Sequence, residues 1–234
     1  MHLSPGGQQF RDDDGSADAA VAAALTRYGT GEGSEHAALA ALAASRLLVP
    51  VVAVLAEAGQ DGAEKSSEMA LPTLIGQDGR PAIIAFTSVA SLARWRADAR
   101  PMPAEAGRVW QSAVAEQAAV VVDVAGPVPF VVEGARLNAL AAGQQPPQPD
   151  EDPDVRAAIG AVLAAEPLVA GARLGPPVAA QEDMDLHVQL LLAPGGEGAI
   201  QRVAERISAA LAPRFRRGVE FSAATAAGSG KSPQ

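Results

Sequence analysis

Hydrophobic and polar positions alternate along the chain in short blocks, and the period of each block predicts a helix or a strand. Residues 1–15 are polar and rich in glycine and aspartate, a composition typical of disorder. Ser16 is placed to cap a helix that runs to Arg27, and Ser34 is placed to cap a second helix. A run rich in valine and leucine then predicts a strand over residues 46–55.

Two features of the next segment carry information about sheet structure. Pro50 lies inside the predicted strand, which indicates an edge position or a β-bulge. Further along, apolar runs over residues 69–75 and 82–86 flank Asp78 and Gly79. Because an Asp-Gly pair fits a two-residue turn in which both residues need a positive φ, this segment predicts a β-hairpin.

Beyond Ser88 the apolar period changes from two residues to about 3.6, which predicts a helix with Ser88 as its N-cap. The apolar face of this helix carries Val89, Leu92 and Trp95. The two prolines of residues 100–103 exclude a helix there and predict extended backbone. A further helix is predicted over residues 103–117, with its proline in the first turn.

The remaining sequence predicts the last elements of a first region, followed by a linker and a second region. The first region ends with two strands and a helix, over residues 118–124, 130–132 and 135–142. Residues 143–153 are rich in proline, glutamine and acidic residues, which is typical of a semi-rigid linker. The second region has the order helix, strand, strand, helix, strand, and its first helix has Asp152 as N-cap and Pro153 at the first helical position.

These patterns predict an α+β fold class, with two small sheet-plus-helix domains joined by a Pro/Gln-rich linker. The predicted divisions are an N-terminal extension with a short helix, an N-terminal domain, the linker, a C-terminal α+β domain and a disordered tail, over residues 1–35, 36–143, 144–152, 153–225 and 226–234.

Composition and charge limit the possible partners and location of the protein. The formal net charge is -9, and this acidity disfavours binding to a phosphate backbone, so we expect no nucleic-acid partner. The chain has no cysteine, which excludes disulfides and thiolate chemistry and fits a cytoplasmic location. Residues 37–56 have the length of a membrane span, but Arg46 lies at their centre, so we expect no membrane insertion.

The motifs that resemble reactive sites lack parts that those sites require. Gly228 to Ser232 resembles the end of a phosphate-binding loop, but the earlier glycine position is Thr225 and only two residues follow. His2, His36 and His187 do not have the spacing of metal ligands. The sequence therefore predicts no catalytic residue, no metal site and no cofactor.

A cluster of contact-forming residue types lies around the predicted helix at residue 88. Its members are Arg94, Trp95, Arg96, Arg100 and Met102, with Trp110 nearby. Tryptophan, arginine and methionine are enriched at protein–protein contacts. Helical phase favours the alternative that both tryptophans pack in the core, and in that case the arginines form a contact edge beside it.

An ordered set of short motifs resembles a known family. The motifs are Ser45-Arg46-Leu47-Leu48-Val49-Pro50-Val51-Val52, Glu64-Lys65-Ser66-Ser67-Glu68-Met69-Ala70, Ala85-Phe86-Thr87-Ser88, Leu92, Trp95, Ala99-Arg100-Pro101 and Asp123-x-x-Gly126-Pro127. Over residues 36–143 the chain resembles the SseB family N-terminal domain, in its actinobacterial branch, and residues 150–225 resemble the additional C-terminal domain of some members. The resemblance implies an α+β domain and carries over no catalytic residues. The family name is linked to enhanced serine sensitivity and to a type III secretion translocon component.

We therefore expect a cytoplasmic, non-enzymatic interaction or adaptor protein with an unidentified protein partner. The alternative is a small-molecule sensor or a cryptic enzyme for an amino-acid-like ligand. In that alternative Arg46, Arg100 and Glu68 bind a zwitterion, because arginine pairs well with carboxylates. The oligomeric state stays open.

Overall fold

The structure is a computed structural model, and it describes residues 10–11, 13–55, 67–70, 73–76, 79–178 and 183–225. The chain divides into two compact units. Unit 1 comprises Met1–Gly29 and Ala38–Pro146, and unit 2 comprises Thr30–Ala37 and Pro147–Gln234. Helices and sheets occur in both units, which confirms the α+β fold class. The finer domain boundaries stay a prediction.

The elements from the first helix to the linker alternate between helices and strands. The helices are α1 (Ala19–Thr30), α2 (Glu35–Ala43), α3 (Val89–Trp95), α4 (Ala106–Ala115) and α5 (Gly134–Ala141). The strands are β1 (Arg46–Leu55), β2 (Ser67–Ala70), β3 (Thr73–Ile75), β4 (Pro81–Ala85), β5 (Arg100–Glu105), β6 (Ala119–Val122) and β7 (Phe130–Val132). The strands form one sheet in the order β2-β1-β5 and another in the order β3-β4-β6-β7.

The predicted hairpin is confirmed, but its turn and one of its strands differ from the prediction. The Gly76 N–H donates to the Arg80 carbonyl oxygen at 2.8 Å, so the connection is longer than the predicted two-residue turn. β3 and β4 pair antiparallel with Ile75 opposite Pro81, and Gly79 has a φ of 77° in the connection. Asp78 lies outside the described residues. The run predicted as one strand over residues 69–75 is two strands in different sheets, because β2 pairs with β1 whereas β3 pairs with β4.

Pro50 lies in a central strand, so the predicted edge position is wrong. The Leu48 N–H donates to the Phe86 carbonyl oxygen at 2.7 Å, away from β5. Because backbone directions alternate along a strand, the Pro50 nitrogen lies on the same side as that of Leu48. On that side the ladder with β2 begins only at Val52. The missing donor of Pro50 therefore falls in a gap between two pairings.

The outer edge of β5 lacks donors for the same geometric reason. Pro103 lies opposite Leu48 and Pro101 lies opposite Pro50, so both proline nitrogens point away from β1. β5 is an edge strand, the position in a sheet where proline is tolerated. The predicted helix start at Pro103 is wrong, since α4 begins at Ala106.

The core of unit 1 lies on both faces of β1. Leu47 and Val49 belong to the larger apolar cluster, which also contains buried residues of α1, α2, α4, α5, β4, β6 and β7. Leu48 and Val52 belong to a smaller cluster with Leu92 of α3. This arrangement fits the nearly continuous apolar run of β1, since both of its faces are buried.

The helix starts follow side-chain capping, although not always by the predicted residue. Ser88 caps α3 by accepting the Ser91 N–H at 3.1 Å, as predicted. Ser16 does not cap α1, because the Asp18 carboxylate accepts the Ala20 N–H at 2.8 Å and so caps the helix at a later position.

Unit 2 contains one mixed sheet with two long helices. Its elements are α6 (Pro153–Leu163), β8 (Val169–Gly175), β9 (Leu186–Leu192), a 3₁₀ helix (Glu197–Ala199), α7 (Ile200–Leu211) and β10 (Val219–Thr225). The strand order is β10-β9-β8, with β9 parallel to β10 and antiparallel to β8. Alternate residues of β9 are buried against both helices in one cluster. The predicted order helix, strand, strand, helix, strand is confirmed. In the described part of the chain, no helix has the length and hydrophobicity needed to cross a membrane.

Candidate functional site

The end of α3 presents a tryptophan between two arginines. Leu92 is buried and fixes the helix against the smaller cluster. Trp95 is half-buried, and its ring centroid lies 5.7 Å from that of Phe86, which is fully buried. Arg94 and Arg96, the residues directly before and after Trp95 in the sequence, are both exposed.

Arg96 also contacts an acidic neighbour. Its Nε lies 2.9 Å from Asp98 Oδ1, and the two side chains are 49% and 73% exposed. An ion pair this exposed contributes little to folding stability, because water competes for both groups. Asp98 therefore holds the Arg96 guanidinium only weakly.

The structure does not bring Arg100 and Met102 together with Trp95. Met102 lies opposite Val49 and packs against the larger cluster, whereas Trp95 packs against the smaller one. Arg100 lies two residues before Met102 in β5, so its side chain leaves the strand on the same face as Met102. The five predicted contact residues thus divide into a group of three at the end of α3 and a pair on the other face of β5.

Trp110 is a core residue. It is fully buried in the larger cluster on the apolar stripe of α4. The core alternative is therefore correct for Trp110, while Trp95 lies at the border between core and surface.

A polar pair that sequence reasoning missed closes one edge of the second sheet. β4 and β6 are parallel, so their carboxyl ends meet at the same edge. The Asp123 carboxylate accepts the Thr87 N–H at 2.9 Å and the Thr87 hydroxyl at 2.6 Å, and both residues are buried. Asp123 has a φ of 51°, a conformation that aspartate adopts more readily than most residues. This pair fixes the turn from β4 into α3.

Gly126 is required by the turn that follows β6 and contains Asp123. A Cβ atom on Gly126 would lie 2.9 Å from the Asp123 Cβ and 3.0 Å from its carbonyl oxygen. The Gly126 N–H donates to that carbonyl at 2.7 Å. Asp123 and Gly126 were noticed in the sequence as part of a motif, and the structure gives the physical reason for their spacing.

Arg46, the first residue of β1, connects this turn to the N-terminal segment. Its Nη1 donates to the Thr87 carbonyl oxygen at 2.8 Å. Its Nε and Nη2 lie 2.7 Å from the two carboxylate oxygens of Asp13, and both side chains are 15% exposed. Nη2 also donates to the Ser16 carbonyl oxygen at 2.6 Å. We call residues 13–16 the N-terminal strap.

The predicted zwitterion site is not assembled. Arg46 lies opposite Glu105 and Arg100 lies opposite Val51, so the two arginines start from opposite ends of the β1–β5 ladder. That spacing is about 16 Å along the strand. Glu68 belongs to β2, but its side chain lies outside the described part of the structure.

Unit 2 contains its own arginine–carboxylate cluster. Arg214 Nη2 lies 2.6 Å from Asp152 Oδ2 and 2.9 Å from Glu35 Oε2. Asp152 and Glu35 are both buried, and Asp152 Oδ1 also caps α6 through the Asp154 N–H at 2.8 Å. In the described residues, no group of three histidine, cysteine or acidic side chains is arranged to hold a metal ion.

Two other carboxyls of unit 2 have shifted pKa values. Hydrogen bonding from Arg202 lowers the pKa of Glu166, and Arg206 acts in the same direction. Burial raises the pKa of Asp185, and the hydrogen bond from the Arg217 N–H only partly offsets this effect. Both carboxyls serve contacts inside unit 2.

The fold and these contacts define an α+β protein whose unit 1 has a core on both faces of β1 and exposes Arg94 and Arg96 next to the half-buried Trp95. Among known families, the model of the SseB protein N-terminal domain matches residues 21–139, just over half of the chain. The chain therefore belongs to the SseB family. No curated protein and no solved structure matches the chain.

Proposed function

We propose that this SseB-family chain is a non-catalytic protein-interaction or adaptor module that contacts its partner through the end of α3. The observation that carries the proposal is the placement of two exposed arginines directly before and after the half-buried Trp95 in the sequence. Tryptophan and arginine dominate the energetics of protein contacts, because each buries a large area and arginine adds directional donors.

The local structure supports a preformed contact. Trp95 rests on Phe86, Ser88 caps the helix, and the turn before it is held by the bonds between Thr87 and Asp123. Side chains that are ordered before binding lose less entropy on binding. This surface therefore needs little rearrangement to receive a partner.

Charge and edge geometry indicate how the partner is held. The chain has a net charge of -9, so Arg94 and Arg96 form a local cationic surface that attracts a partner with carboxylates. Strand addition at β5 is disfavoured, because Pro101 and Pro103 lack the amide donors that an added strand needs. The contact is therefore made by side chains.

The polar groups at the carboxyl edge of β4 and β6 support the non-catalytic part of the proposal. Both oxygens of Asp123 accept hydrogen bonds from Thr87, and Arg46 donates to the Thr87 carbonyl oxygen. These groups serve structural bonds that a reaction would have to break. The cytoplasmic location and the exclusion of nucleic acid stay predictions.

Site-specific photo-crosslinking in cells tests the proposed contact. A photoreactive residue at Ala97, which is exposed beside Arg96, is compared with the same residue at Ala115, which is exposed at the end of α4. We expect a discrete crosslinked product from position 97 that is absent from position 115. The double variant Arg94→Glu and Arg96→Glu removes this product, because it reverses the local charge.

Arg108→Glu is the matched control, since the Arg108 side chain is 57% exposed and lies on α4 rather than α3. The control variant keeps the product. A product that survives the double charge reversal, or that forms equally at both positions, contradicts a contact at the end of α3.

A further inference from the structure

The contact between Arg46 and Asp13 has the geometry of ligand recognition. Two nitrogens of one guanidinium face two oxygens of one carboxylate, each at 2.7 Å. This paired arrangement is the strongest and most directional that arginine makes with a carboxylate, and lysine cannot reproduce it. Arg46 therefore recognises the shape of the carboxylate as well as its charge.

The backbone of the N-terminal strap is recognised too. The Ser16 carbonyl oxygen accepts from Arg46 at 2.6 Å, and the Gly15 carbonyl oxygen accepts from the Val89 N–H at 2.8 Å. Gly15 has a φ of 77°, and a Cβ atom there would lie 2.5 Å from Val89 Cγ2. The fit thus selects an aspartate followed two residues later by glycine.

The residues that bind the strap are held in place by contacts that do not involve the strap. Arg46 Nη1 is held by the Thr87 carbonyl oxygen, and Thr87 is held in turn by Asp123. All three residues lie inside the matched family domain, residues 21–139, whereas the strap at residues 13–16 lies before it. The domain therefore supplies an oriented guanidinium, and a segment outside the domain supplies the carboxylate that binds it.

We propose that Arg46 anchors a recognition site for an aspartate-bearing peptide segment of the type Asp-x-Gly. In this structure the chain's own strap occupies the site. A segment of the same chemistry from a protein partner replaces the strap. This site is separate from the contact at the end of α3, so either can fail without the other.

The covalent connection of the strap to the domain determines how strongly the strap competes with a free peptide for Arg46. A short covalent tether gives the strap an effective concentration in the millimolar range, so it suppresses binding of a free peptide to the wild-type chain. Removal of the Asp13 carboxylate weakens this internal competitor and leaves Arg46 in place.

The test is a fluorescence-anisotropy titration of the full chain with a labelled peptide of residues 10–18. We expect the Asp13→Ala variant to bind this peptide at least about tenfold more tightly than the wild type does, because the tethered competitor is lost. A peptide with asparagine in place of Asp13 binds at least about tenfold more weakly than the aspartate peptide, because the amide cannot accept two bonds from one guanidinium.

A comparison of Arg46→Lys with Arg108→Ala tests whether the peptide binds at Arg46. In the Asp13→Ala background, Arg46→Lys reduces peptide affinity by about tenfold or more, whereas Arg108→Ala leaves it unchanged. Arg46→Lys keeps a cation in place, and its thermal unfolding is measured alongside, so that loss of fold is separated from loss of recognition. Equal affinity of wild type and Asp13→Ala, equal binding of both peptides, or no saturation up to about millimolar peptide overturns the proposal.

Discussion

Each unit of the molecule has an arginine that contacts a carboxylate, but the carboxylates of the two units differ in how far they are exposed to water. In unit 2, Arg214 is 17% exposed and contacts two carboxylates that are 5% and 0% exposed. In unit 1, Arg46 and Asp13 are each 15% exposed, and Asp13 belongs to a strap rather than to a helix or strand. The same chemistry therefore involves buried carboxylates in unit 2, whereas in unit 1 it involves a segment outside the helices and strands that we propose to be replaceable.

The difference follows from what remains when one partner is removed. Without Arg214, the buried carboxylates of Glu35 and Asp152 lose the positive charge that contacts both of them. Without Asp13, the strap can move away, and Arg46 keeps its bond to Thr87 and gains water. The burial of the charged groups that remain, rather than the distance between the paired charges, decides how much folding stability is lost when one partner is removed.

The largest expected effect is that of Arg214→Ala. This change removes the arginine charge that contacts the buried carboxylates of Glu35 and Asp152, and we expect a loss of about 3–5 kcal/mol in the free energy of unfolding. Urea unfolding followed by circular dichroism, with amide exchange of β9, measures it. Arg173→Ala is the control, since Arg173 is exposed on β8 of the same unit and its loss costs less than about 0.5 kcal/mol. A cost for Arg214→Ala no larger than that of the control contradicts the comparison.

A smaller effect is expected for Asp13→Ala. The Asp13 side chain is 15% exposed and its arginine keeps other partners, so we expect a loss of about 1.5–2 kcal/mol, consistent with at least a tenfold loss of strap binding. Tryptophan fluorescence reports this directly, because both tryptophans of the chain, Trp95 and Trp110, lie in unit 1. Asp98→Ala serves as the exposed control, with no measurable change. A loss of several kcal/mol for Asp13→Ala means that the strap is part of the core structure of unit 1.

The smallest effect is a pH dependence at Glu166. Its pKa lies below the usual 4.5 because of the hydrogen bond from Arg202, so its favourable contribution is complete above pH 4.5 and is lost as the pH falls through the lowered value. The difference in unfolding free energy between wild type and Glu166→Gln is therefore expected to shrink between neutral pH and pH 3.

Asp185 provides the opposite sign in the same titration. Burial raises its pKa from 3.8, so its ionisation lowers stability as the pH rises through the raised value. The difference between wild type and Asp185→Asn is expected to change in the direction opposite to that of Glu166→Gln. Parallel pH profiles for the two variants contradict these assignments.

Local patterns were enough to predict many elements but not their pairing partners. β1 and β7 have the predicted bounds, because runs of valine and leucine or phenylalanine are strong strand formers. Pro103 was misassigned because proline suits both the first turn of a helix and an edge strand, and only the ladder with β1 distinguishes the two. Residues 69–75 were predicted as one strand although Pro72 lies within the run, and only the pairings with β1 and β4 separate β2 from β3.

The polar contacts of unit 1 were beyond sequence reasoning. Arg46 lies 33 residues from Asp13, and Thr87 lies 36 residues from Asp123. Each pair depends on how strands align across the sheet, which no local period encodes. Arg94, Trp95 and Arg96 were predicted as contact residues because they are neighbours in sequence. The same reasoning joined Met102 to them, but Met102 packs against a different cluster from Trp95.

The alternating prolines of β5 also bear on behaviour at high protein concentration. Exposed sheet edges are where identical chains begin to stack into fibrils, because each free N–H and C=O offers a bond to the next copy. At Pro101 and Pro103 half of those bonds cannot form. This margin of the molecule is therefore protected against fibril growth by its covalent structure, independently of charge, salt or any bound partner.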